Sequence, residues 1–62
     1  MDKPMFRAQM IRLRDRIGVT QIEMARLLGI ERTEVQNYEY GKKYPSKTTQ
    51  ARIDELMMKY PA

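Results

Sequence analysis

Arg32, Thr33, Gln36 and Asn37 stand at steps of one, three and one between Glu31 and Gly41. Residues three and four apart share a helix face, so this spacing gathers a guanidinium, a hydroxyl and two amides on one exposed side. An arginine fork matches guanine O6 and N7, and a carboxamide matches adenine N6 and N7. A threonine offers its methyl to thymine or its hydroxyl to a phosphate. A merely solvated polar face has the same composition, and the residues alone leave both readings open. Lys42, Lys43 and Lys47 follow, with Ser46 among them. They suit a phosphate strand, or they are a solvated charge run. Glu34 is less expected beside such a face. It would repel phosphate if aimed at it, and it could accept from cytosine N4. Facing away is the favoured reading. The Tyr40 phenol could reach a phosphate or simply pack.

Other chemistry is poorly provided for. The chain has 62 residues, no cysteine and no histidine. Disulfides, thiolate nucleophiles and the commonest zinc sites are therefore excluded. No pair of carboxylates falls in an evident cleft, so neither enzymatic activity nor a cofactor is expected. A domain this small buries only about 60% of its unfolded surface, which disfavours a deep pocket. The net charge of +4 favours an acidic partner, although simple solubility accounts for it too. No apolar run approaches the roughly 20 residues that span a bilayer. A single lysine before Pro4, with no long apolar stretch after it, is not the pattern of a signal peptide. No membrane association is expected.

Those side chains need short helices to hold them, and the apolar spacing is helical throughout. The first helix is expected from Lys3 to Ile17, with Asp2 as N-cap and Phe6, Met10, Leu13 and Ile17 as its buried stripe. Gly18 closes it. Thr20-Gln21-Ile22-Glu23 is a capping box, and Val19 and Met24 occupy the staple positions around it. It opens a second helix that ends at Leu28 before Gly29, with Met24, Ala25 and Leu28 inward. The third helix is expected from Arg32 to Tyr40, with Val35 and Tyr38 inward and Gly41 as its stop. The fourth follows Ser46, with Ile53, Met57 and Tyr60 as its stripe and Leu56 beside it. Only Gly29, Ile30 and Glu31 separate helices two and three. A turn so short forces a steep crossing, and the second helix of such a pair can enter a major groove. Met57, Met58 and Tyr60 suggest a homodimer contact, or the packing of a frayed end.

The string Leu13-Arg14, Gly18-Val19-Thr20-Gln21, Met24-Ala25, Leu28-Gly29-Ile30, Val35, Tyr38-Glu39, Gly41 and Pro45-Ser46 resembles the Cro/C1-type (XRE-like) helix-turn-helix family of phage repressors and related bacterial regulators. The likeness runs from Met10 to about Leu56. It implies an all-α, four-helix, lambda-repressor-like domain spanning residues 1–62, with the helix-turn-helix unit at 20–40. A fifth helix common in the family is expected to be missing or vestigial, and Thr48, Thr49 and Gln50 stand where the family is often leucine-rich. The resemblance assigns base reading to Arg32, Thr33, Gln36 and Asn37. It assigns phosphate contact to Gln21, otherwise a solvated residue beside a cap. It also implies an ion pair between Arg14 and Glu39, otherwise two independent surface charges.

The implied function is sequence-specific binding of double-stranded DNA by a cytoplasmic transcriptional regulator. A Cro-like repressor acting as a homodimer on a palindrome, with no small-molecule effector, is expected. An antitoxin-like or inhibitor module on the same fold is the alternative, prompted by Glu31, Glu34 and Glu39.

Overall fold

A computed structural model describes residues 3–61. Four helices follow in order: α1 (Lys3–Ile17), α2 (Gln21–Leu28), α3 (Arg32–Glu39) and α4 (Lys47–Lys59). Among the described residues there is no strand. Asp2, the expected cap of α1, lies outside them.

The ends of the helices follow from local chemistry. The Thr20 hydroxyl accepts from the Glu23 amide at 3.2 Å, and the Glu23 carboxylate accepts from the Thr20 amide at 3.1 Å. Two otherwise unpaired donors are thus satisfied reciprocally. At the other end of α2, the Gly29 amide bonds to Arg26 O and the Ile30 amide to Ala25 O. This is a Schellman closure, and it needs the left-handed residue that Gly29 supplies at φ 68°. Gly41 repeats the motif after α3: its amide reaches Tyr38 O, and the Lys42 amide reaches Asn37 O at 2.8 Å. The chain therefore folds back at Gly41, and the basic loop begins beside Asn37. The third helix stops at Glu39, one residue short of expectation. Tyr40 is its cap, with its amide still bonded to Gln36 O.

The core comprises Phe6, Met10, Leu13, Met24, Ala25, Leu28, Val35, Tyr38, Ile53 and Leu56, with Ile17, Val19, Ile30 and Met57 packed against it. Phe6 meets Tyr38 edge-on, with ring centroids 5.7 Å apart, a geometry that aromatic quadrupoles favour. The stripe of α4 departs from expectation. Its buried residues are Thr49, Ile53 and Leu56, whereas Tyr60 lies beyond the helix and is exposed. Thr49 is tolerated inside because its hydroxyl oxygen accepts from Ser46 at 3.2 Å.

Candidate nucleic-acid interface

Helices α2 and α3 cross through Gly29, Ile30 and Glu31, and Ile30 plugs the corner against the core. The buried side of α3 is Val35, Tyr38 and Glu39. That leaves Arg32 and Thr33 exposed and Gln36 and Asn37 half-exposed on its outer side. The four side chains expected to read bases thus share one solvent-facing surface. Gln36 Nε2 lies 3.5 Å from the Tyr40 phenol oxygen, and the Lys42 ammonium sits 5.8 Å from the centre of the Tyr40 ring. Tyr40 is 57% exposed, so it belongs to this surface and not to the core.

Beneath the surface, three helix ends meet at one carboxylate. Arg14 Nε donates to Glu39 Oε2 at 2.7 Å and Arg14 Nη2 to Oε1 at 3.1 Å. Arg14 Nη1 also donates to Val19 O at 3.2 Å. The bond to Glu39 raises the Arg14 pKa above its ordinary value. Glu39 is almost fully buried, so the paired and hydrogen-bonded guanidinium is what makes that burial tolerable. Gln21 joins the cluster: its Nε2 donates to Glu39 Oε1 at 3.2 Å. One of the two amide hydrogens of Gln21 is therefore held by Glu39, while the residue itself stays half-exposed at the N-terminus of α2. This link between Gln21 and Glu39 has no counterpart in the sequence reading.

On the other flank, Ser46 caps α4. Its oxygen accepts from the Thr49 amide at 3.3 Å and its proton goes to Thr49 Oγ1. The phosphate donors this end can offer are accordingly the backbone amides of the first turn. Lys42, Lys43 and Lys47 are exposed. Lys43 Nζ lies 3.4 Å from Glu34 Oε1, while Glu34 Oε2 accepts from the Tyr38 phenol at 3.0 Å. Glu34 thus turns to the flank of α3. Burial pushes the Tyr38 phenol up to about 12, with the bond to Glu34 adding to the effect. Of the acidic residues here, Glu31 is exposed, Glu34 lies on the flank, and Glu39 is enclosed with Arg14.

The C-terminal residues separate. Met57 is half-buried and lines an open groove of about 430 Å³ with Leu13, Arg12 and Arg16. Met58 is 83% exposed and Tyr60 42%, and the Tyr60 carbonyl accepts from Arg16 Nη1 at 2.8 Å. Sequence reasoning missed Arg52, whose Nη1 donates to Leu28 O at 2.8 Å. A basic residue one position before the buried Ile53 was the available signal. No helix among the described residues is long and apolar enough to cross a membrane.

No curated protein and no solved structure gives a significant match to the chain. The helix-turn-helix domain family matches residues 6–58, a span that takes in α2, the tight turn and α3 together with the helices that brace them. By that match and by its architecture, the chain belongs to the helix-turn-helix family of DNA-binding domains.

Proposed function

We propose that this chain is a sequence-specific transcriptional regulator, a Cro-like repressor that lays α3 in the major groove of a palindromic operator and blocks access to it. One observation carries this reading: the outer side of α3 presents Arg32, Thr33, Gln36 and Asn37 to solvent, beside a basic loop that turns back at Gly41. Gln21 at the N-terminus of α2, and Lys42, Lys47 and the backbone amides that follow Ser46, supply the phosphate contacts in this reading. Arg32 grips guanine and the two amides read adenine, while Thr33 meets a thymine methyl or a phosphate. Gln21 uses its second amide hydrogen on a phosphate next to the helix N-terminus. The whole chain acts as one such domain, without a cofactor or a small-molecule effector, in the cytoplasm.

A homodimer with half-sites about one helical turn apart fits this function, with Met58 and Tyr60 beside the Met57 groove as the contact. Selection of duplexes from a random pool tests the proposal. A recovered palindrome is the expected result. A pool that stays random at every salt concentration rules out a sequence-specific regulator.

A further inference from the structure

Glu34 is anchored from both sides. One carboxylate oxygen accepts a hydrogen bond from the Tyr38 phenol at 3.0 Å, and Tyr38 is itself only 2% exposed, so the acid is fixed from within the core. The other oxygen faces Lys43 Nζ at 3.4 Å. The chain reversal at Gly41, closed by the Lys42 amide on Asn37 O, brings the lysine back alongside α3. An anionic oxygen is thereby held against the ammonium of a lysine in the basic loop. The side chains of the pair are 56% and 36% exposed, which leaves the lysine free to exchange partners.

We propose that Glu34 is an internal stand-in for phosphate at Lys43, and that it lowers the sequence-independent share of duplex affinity. The inference rests on the DNA-binding reading of α3 and its loop. A lysine that neutralises a phosphate releases condensed counterions and adds about 0.9 to the slope of log affinity against log salt. Lys43 already has an anion, so it must give up one partner to gain the other, and most of that gain is cancelled. Base contacts from Arg32, Thr33, Gln36 and Asn37 then make up a larger part of the total, and the ratio of specific to non-specific affinity rises.

The test measures binding to a mixed-sequence duplex across a salt series. It compares the parent chain, Glu34→Gln, Lys43→Gln and the double variant, each shown to be folded by circular dichroism. Glutamine retains an acceptor for the Tyr38 phenol. Glu34→Gln is expected to steepen the salt slope by about 0.9, roughly a threefold larger affinity change over a fourfold change in salt. Lys43→Gln alone should leave the slope nearly unchanged, yet remove the whole gain in the Glu34→Gln background. Lys47→Gln, which breaks no such pair, should lower the slope of the parent by about one unit; it supplies the contrast if Glu34→Gln does not fold. An equal gain from Glu34→Gln with and without Lys43 overturns the proposal in favour of through-space repulsion. An unchanged slope in Glu34→Gln, or a full-unit loss in Lys43→Gln alone, overturns it as well. If none of the proteins binds duplex at the lowest salt, the DNA-binding reading itself fails, and this inference fails with it.

Discussion

The Arg52 guanidinium on α4 donates to the Leu28 carbonyl at 2.8 Å across 24 positions of sequence, and so caps the C-terminus of α2. The same guanidinium lies where a Cβ on Gly29 would stand. Gly29 is thus required for its positive φ, and a Cβ there would also push the flexible end of Arg52 off the Leu28 carbonyl. Gly29→Ala should cost more than the roughly 1–2 kcal/mol of a left-handed non-glycine residue, and Arg52→Ala about 1 kcal/mol for the lost hydrogen bond. The double variant should lose less than the sum, because removing Arg52 relieves the collision. Urea midpoints of the three variants measure this.

The cluster at Glu39 should be the most sensitive polar site in the fold. Arg14→Met leaves a buried carboxylate with Gln21 as its remaining side-chain partner, and a loss on the order of 3 kcal/mol is expected. Arg14→Met combined with Glu39→Leu should recover part of that loss, since no buried charge is left unpaired. Chemical denaturation of the single and double variants decides it. A double variant no more stable than Arg14→Met would show that the charge is not the cause.

Alkaline pH should weaken the fold through Tyr38. Its phenol ordinarily ionises near 10 and is pushed up to about 12 in the folded chain. Between those values the unfolded chain loses a proton that the folded one keeps. The stability contributed is therefore complete below pH 10 and lost as the pH rises through 12. Tyr38→Phe should have a flatter stability profile than the parent over this window. Thermal melts of the two proteins at matched pH values provide the comparison.

Acid acts through the α2 cap with the opposite sign. Hydrogen bonds from Thr20 hold the Glu23 carboxyl below its usual range. Its contribution is present above the ordinary carboxylate pKa and fades as the pH falls through the lowered one. Thr20→Ala should cost about 1 kcal/mol near neutrality and reduce this acid-dependent part. Urea unfolding at neutral and acidic pH separates the two effects.

On DNA, the two kinds of contact should respond differently. Asn37→Ala is expected to weaken binding to a selected operator by about 1–3 kcal/mol and to relax specificity at one base pair. Lys42→Ala should weaken all sequences alike and lower the salt slope by about one. Titrations against the operator and its single-base variants distinguish them. Equal losses on every sequence for Asn37→Ala would remove it from the reading face.

Helices α1 and α2 and the bounds of α3 to within one residue were legible in the sequence, because caps and apolar periodicity are local signals. The capping box at Thr20 and the glycine at position 29 state their geometry within a few residues. Thr49 was missed as a core residue because an apolar stripe was sought, and a threonine buried through a hydroxyl bond to Ser46 does not register as apolar. Tyr60 was misread for the converse reason: its ring looks like core, but the helix ends before it. Arg52 on Leu28, Gln21 on Glu39 and Lys43 on Glu34 were invisible, since side-chain bonds between separate elements have no periodic signature. The polar side of α3 was legible in composition, and its neighbours followed only once the chain reversal at Gly41 was known.

Eight-residue helices such as α2 and α3 are too short to persist in water by themselves. A single enclosed carboxylate, Glu39, nevertheless joins the end of α3 to the start of α2 and to α1. Neither helix can fray at that junction without stranding the charge. The hydrogen-bonded amide protons in both should therefore exchange with solvent only when the whole chain opens, with one shared opening free energy. Any duplex held by α3 then slows that exchange everywhere, and so lends its binding energy to the entire fold.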